Sequence, residues 1–496
     1  MNASPVRTDA DQGTLARPRH DSRPVLRSAH REKIDHGGPP RPLPGIPVAL
    51  LARVGLILTL QTAILAPAAC GRPINDEASL QHRPNPIFEQ AIEDPSGKAM
   101  LAFYSALTRS LTKCDRPACQ SVTRILHYGD SHAASGLFTG PLRRSFQRDF
   151  GDAGPGFILA GRPWSWYRPF EAEAHTSAGW RTEGLAQADL VTDGRHGLSG
   201  LSFSSEQPGQ TITVTADCKL FDVYFLRQPG GGLVDIYLDA AIFTRRLSLS
   251  SNRSEASYVT VAPPARGTHT IEIRTLAPAP VRILGIAAER GTSGVEYDVL
   301  GINGARAYRP LQWDWNVLAS NLARRRPNLI VVAYGSNEVA DQDLDLNDYR
   351  GQFARLLSLF RRAAPQASLL VIAPPERSAL VHGVWRPHEN MPGLVEAQRQ
   401  AAFSQGAAFW NLYAAMGGKG SIEHWANAAE PLAQRDRVHL TALGYSLAAE
   451  ALYREIIHGY LRAVWKAIKT VPRAVATGRR SRTSMDVGHS RAATVR

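Results

Sequence analysis

The chain has 496 residues, 44% of them hydrophobic and 20% charged, a globular balance with ample apolar content for a core. It holds a single long apolar run, which excludes a polytopic membrane protein, and its glycines and prolines show no collagen-like period. The net charge of +13 sits mostly at the ends: residues 1–45 carry 8 basic and 5 acidic side chains, and residues 459–496 carry 9 and 1. The body between them is almost balanced, so no nucleic-acid partner is expected and the two ends read as solvated arms.

Residues 1–45 are polar and rich in Arg, Pro and Asp, a leader that cannot offset the entropy of ordering. An apolar stretch follows from Ala49 to Ala69, with Arg53 near its start, an h-region from Val54 to Leu65, and then Ala66-Pro67-Ala68-Ala69-Cys70. Residues 46–69 thus have the layout of a secretory signal, a membrane anchor being the other reading, and both imply export to the periplasm or cell envelope. Cys70 stands where a lipoprotein would be processed and lipidated, although Pro67 occupies a place usually held by leucine. Cys114 and Cys119 bracket a tight loop that a disulfide can close, leaving Cys218 single. No second cysteine pair or His-x-x-x-His motif completes a metal site there, so neither metal nor organic cofactor is expected.

After a polar linker over 70–96, Met100, Leu101, Tyr104, Leu107 and Leu111 fall at three- and four-residue steps and predict an amphipathic helix within 97–113. Arg124 to Tyr128 predicts a strand ending at Gly129, and Leu137, Leu142 and Phe146 predict a helix that stops at Gly151. This strand, glycine turn and helix open an α/β domain, whose first part spans 97–164. From 165 to 295 the pattern turns to period-two alternation, as in Thr211-Ile212-Thr213-Val214, punctuated by Pro229-Gly230-Gly231-Gly232, which predicts an all-β sandwich inserted into that domain. The α/β pattern returns over 296–457 with buried strands at Leu329–Ala333 and Leu369–Ala373, a last strand near Phe409–Leu412 and a helix from Ala442. A basic tail closes the chain over 458–496.

Ser131 stands in Gly129-Asp130-Ser131-His132, where a sharp turn after a strand presents a hydroxyl at the carboxyl end of a parallel sheet. Helix capping is the bland reading of such a serine. Far downstream, Asp436-Arg437-Val438-His439 spaces a carboxylate and an imidazole by three residues. A serine needs a base to take its proton, and an imidazole base needs a carboxylate to fix its tautomer; Ser131, His439 and Asp436 supply the three parts. Oxyanion donors can come from the Ser131 N–H, from Gly304 in Gly301-Ile302-Asn303-Gly304, and from the Asn337 amide in Gly335-Ser336-Asn337-Glu338. Trp164, Trp166 and Tyr167 are candidates for a sugar-stacking platform, with domain-junction packing as the alternative.

These blocks resemble the SGNH (GDSL) hydrolases, with Ser131, Gly304, Asn337 and His439 matching the four residues that name the family and Asp436 in its carboxylate position. Within it, Gly151-Asp152-Ala153-Gly154-Pro155-Gly156-Phe157 and Phe409-Trp410-Asn411-Leu412-Tyr413 leading into Met416-Gly417-Gly418 resemble the peptidoglycan O-acetylesterase branch, which carries a carbohydrate-binding-like β insert. Glu338 departs from the aspartate of many relatives, and Gly301 competes with Gly304 for the oxyanion role. The resemblance implies a flavodoxin-like three-layer α/β/α fold with a parallel sheet, interrupted by a jelly-roll-like insert. It further implies an exported serine esterase acting on an O-acetylated polysaccharide or small acyl ester. An O-acetyltransferase or lipid esterase on the same machinery, and a non-catalytic glycan-binding protein, are the alternatives.

Overall fold

Strand β1, Ser121–Gly129, is buried almost throughout and places apolar side chains on both its faces, as a central strand of a covered parallel sheet must. The computed structural model describes residues 87, 89–111, 121–185 and 193–470. The leader, the signal or anchor segment, Cys70, the Cys114–Cys119 pair and residues beyond 470 lie outside the described residues.

Four further strands join β1: β2 (Ser293–Gly301), β3 (Leu329–Ala333), β4 (Ser368–Ile372) and β5 (Ala408–Trp410). They run parallel in the order β2-β1-β3-β4-β5. Among the helices are α1 (Leu101–Ser110), α2 (Ser131–Ala134), α3 (Thr139–Phe150), α4 (Trp315–Arg325), α5 (Leu346–Ala363), α6 (Met391–Ser404) and α7 (Ala442–Thr470), with short helices at Leu412–Ala415 and Ser421–Ala426 between the last two. Alternate side chains of β1 show the layering: His127 packs with Phe138 and Tyr297 below the sheet, and Tyr128 meets Phe360 of α5, ring centres 4.6 Å apart, above it. The three-layer α/β/α arrangement expected from the sequence is thus present.

Two larger antiparallel sheets pack beside it. One orders Glu255–Val261, Leu220–Arg227, Val281–Glu289, Ser202–Ser205 and Arg181–Glu183, with Gly156–Ile158 also paired to Val281–Glu289. The other orders Ala172–Thr176, Thr211–Cys218, Gly267–Thr275, Leu233–Leu238 and Ala241–Ser248. Along Thr211–Cys218 burial alternates residue by residue, with Ile212, Val214, Ala216 and Cys218 turned inward, which is why period two was legible there. Both edges of the insert differ from the expected 165 and 295. Gly156–Ile158 already pairs with the antiparallel layer, ahead of Ser165, and is too short to alternate visibly. Ser293–Gly301 belongs to the parallel sheet, its register running from Ser121 opposite Ser293 to Gly129 opposite Gly301.

A buried charge cluster fastens the two parts together. Arg325 of α4, 1% exposed, pairs with Asp298 (2.6 Å) and Glu296 (2.9 Å) of β2 and with Glu289 (3.0 Å) of the antiparallel layer. Arg124 of β1 reaches Glu289 and Glu296, both at 2.8 Å. Burial pushes the Glu296 carboxyl up to about 7 against the pull of the two arginines.

Candidate active site

The register brings the chemistry-bearing blocks to one sheet edge. Gly301 of β2 and Ala333 of β3 lie on either side of Gly129 at the carboxyl ends of three adjacent strands. Ser131, Gly304 and Asn337 therefore follow these neighbours by two, three and four residues. The ends pack too tightly for side chains: a Cβ on Gly129 would stand 2.6 Å from the Ala333 carbonyl oxygen, and one on Gly301 would stand 2.4 Å from the Ala134 nitrogen. Gly301 is thus fixed under α2 by close approach, and Gly304, at φ +70°, occupies the loop beyond it.

Asp130 ends the turn into α2 by accepting the His132 N–H at 3.0 Å, which leaves Ser131 as the first helical residue with its hydroxyl outward. Ser131 Oγ lies 2.9 Å from His439 Nε2, and His439 Nδ1 lies 2.7 Å from Asp436 Oδ2. Asp436 Oδ1 also accepts the backbone N–H groups of Val438 and His439, each at 3.0 Å. Burial pushes the Asp436 carboxyl up, but the His439 side chain and these two N–H groups outweigh it and hold the group below the ordinary carboxylate range. An ionised Asp436 puts the imidazole proton on Nδ1 and leaves the Nε2 lone pair to accept the Ser131 hydroxyl proton. The arrangement can therefore deliver a serine nucleophile to a carbonyl carbon.

The candidate oxyanion donors have N–H groups to spare. Neither the Ser131 nor the Gly304 N–H donates to another protein group among the described residues. Asn337 Nδ2 donates one proton to the Ala305 carbonyl at 2.9 Å, and the second amide proton remains for a ligand. Glu338 accepts the Ala307 N–H at 2.7 Å, so the Asn337 loop and the Gly304 loop are tied at two points. Burial pushes Glu338 up to about 7, which suits a carboxyl whose second oxygen has no partner.

Three residues near the site carry no motif of their own. Arg377, after β4, donates to the Ser336 carbonyl beside Asn337. Arg437, inside the Asp436–His439 segment, has φ +55° and is held there by Glu423 at 2.5 Å, by the Trp385 ring, and by Ser378, whose N–H its carbonyl accepts at 3.0 Å. Ser378–Val381 and Val384–Pro387 form a hairpin to which the sequence reading assigned no element, its two four-residue strands around the His382-Gly383 turn being too short to show a period. Tyr445, in the first turns of α7, is hydrogen-bonded to His132 Nδ1 at 2.7 Å; only the position of His132 beside Ser131 hinted at a role.

The aromatic candidates divide. Trp166, 48% exposed, and Tyr167 line a cavity of about 380 Å³ together with Ser135, Gly136, Phe170 and Glu171, one turn of chain past Ser131. Trp164 does not line it and packs on the core, its ring 5.3 Å from Trp166. Tyr167 is also structural, since its hydroxyl accepts the Leu159 N–H at 3.1 Å.

Residues 277–447 match the GDSL-like lipase/acylhydrolase family model, a match that begins downstream of Ser131. No curated protein matches the chain. Among solved structures, a peptidoglycan O-acetylesterase superposes with a TM-score of 0.61 at 22% identity, covering 75% of this chain and 99% of that one. A family two carbohydrate esterase from Clostridium thermocellum gives a TM-score of 0.26 at 11% identity, covering 58% of this chain and 98% of the other. One from Cellvibrio japonicus gives 0.24 at 11% identity, with the same coverage of 58% and 98%.

Proposed function

We propose that this chain, an esterase of the SGNH type, is exported and removes O-acetyl groups from a cell-envelope polysaccharide, with peptidoglycan as the substrate. The observation that carries the reading is the Ser131–His439–Asp436 relay, 2.9 and 2.7 Å long, at the carboxyl edge of the parallel sheet. The fold likeness to a peptidoglycan O-acetylesterase across 75% of the chain supports this choice of substrate.

Ser131 Oγ attacks the acetyl carbonyl carbon while His439 Nε2 takes the hydroxyl proton. The Ser131 and Gly304 N–H groups and the second Asn337 amide proton stabilise the oxyanion that forms. Collapse of the tetrahedral species breaks the bond to the sugar oxygen, which leaves with the proton from His439. Water, deprotonated by the same imidazole, then attacks the acetyl-serine and releases acetate. Asp436 keeps Nδ1 protonated throughout and stabilises the imidazolium.

The test is acetate release from purified O-acetylated peptidoglycan. The wild type should release acetate, and Ser131→Ala should lose on the order of 10⁶-fold in turnover while remaining folded. Turnover of a small acetyl ester without any release from the polymer would reject this substrate, and covalent labelling by a serine-directed inhibitor at another residue would reject Ser131 as nucleophile.

A further inference from the structure

Helix α7 leaves the body of the protein before it ends. It begins at Ala442, three residues after His439, and packs on α1 and α3 as far as Tyr460, whose ring meets Tyr104 and Phe150. From Leu461 to Lys469 no residue is buried, and Trp465 is 60% exposed. The overhang is ordered by type: Leu461, Val464, Trp465 and Ile468 recur at steps of three, four and seven along one stripe, and Arg462, Lys466 and Lys469 form a second stripe beside it. The Lys469 ammonium lies 5.0 Å from the centre of the Trp465 ring. Beyond Thr470 the sequence adds six arginines against one aspartate.

We infer that the overhanging end of α7 docks on an anionic phospholipid membrane, Trp465 entering the boundary between headgroups and acyl chains. An apolar stripe containing a tryptophan and edged by Lys and Arg fits that boundary, where rings and aliphatic side chains enter and cations meet lipid phosphates. Nucleic acid or an anionic polymer would use the same cations but offers nothing to Leu461, Val464 and Ile468. Among the described residues no helix is long and apolar enough to cross a membrane, so the contact lies along the surface. At 1.5 Å per residue, the 23 steps from Ala442 to Trp465 separate His439 from this contact by about 35 Å along the helix, so the Ser131 site is not itself part of it.

The test uses the full chain and vesicles whose acyl chains carry bromine, which quenches only tryptophans that enter the lipid. Wild type and Trp465→Phe are compared on phosphatidylglycerol and on phosphatidylcholine vesicles. With anionic vesicles the wild type should lose additional emission equivalent to about one of its nine tryptophans relative to Trp465→Phe. The difference should disappear on phosphatidylcholine and in Arg462→Glu/Lys469→Glu, with turnover of a small acetyl ester unchanged. Equal quenching of wild type and Trp465→Phe on anionic vesicles would overturn the inference, even if another segment attaches the chain.

Discussion

The imidazole of His132 lies against that of His439, ring centres 5.2 Å apart and planes inclined by 36°. His132 is buried, and that burial, reinforced by His439 and Arg377, pushes its pKa down to about 3, so the ring backing His439 is neutral. Tyr445 fixes it through the 2.7 Å bond to Nδ1. Tyr445→Phe keeps the packing and removes only this bond. Turnover should fall roughly tenfold to a hundredfold with KM little changed, because a shifted His439 costs alignment rather than binding. Equal losses in Tyr445→Phe and in a thermal-stability assay would assign the pair to folding instead.

Asn337→Ala should lower turnover by roughly 10²- to 10³-fold with a smaller change in KM, since an oxyanion donor acts mainly in the transition state. The substitution also releases the Ala305 carbonyl, so circular dichroism and melting should accompany the kinetics. A near-wild-type rate would leave Asn337 as a tie between two loops.

Trp166→Ala should raise KM for O-acetylated polymer several-fold and leave the hydrolysis of a small acetyl ester unchanged. The ring borders the cavity that Ala134 and Ser135 of the Ser131 segment also line; a polymer reaching into it gains contacts that a small ester does not, and such remote binding energy is available only to the longer substrate. Equal effects on both substrates would count against a sugar platform.

Stability should depend on pH through the buried carboxyls. Glu376 is fully buried, accepts the Ile422 N–H at 2.9 Å and has no partner for its other oxygen; burial pushes its pKa up to about 7. A carboxyl whose pKa is higher folded than unfolded binds its proton more strongly in the native state. Its contribution is complete below the unfolded value near 4 and is lost as pH rises through 7. The contribution of this group to stability should therefore fall between about pH 4.5 and 7, by at most about 1.4 kcal/mol per pH unit, opposed over the same range by the buried neutral His132 and read as the difference between the pH profiles of melting of wild type and variant. Glu376→Gln, which keeps an acceptor for Ile422, should flatten part of that fall; an unchanged slope would place the titration elsewhere.

The sequence by itself determined what short-range physics controls. The strand, sharp turn and helix around Ser131, the three-residue spacing of Asp436 and His439, the start of α7 at Ala442 and the alternation along Thr211–Cys218 each follow from the local chain. Tertiary structure decided what depends on which surface covers a segment. Ser293–Gly301 straddles the boundary expected at 295 and shows no clear strand pattern of its own, yet it is covered on both faces and joins β1 in parallel, with the buried Arg325 paired to its Glu296 and Asp298. That register in turn separates Gly301, pressed against Ala134, from Gly304 in the loop beyond. Tyr445, Arg377 and the hairpin at 378–387 approach the site from elements far apart in the chain, and no local pattern records a contact made only when the sheet edge closes around Ser131.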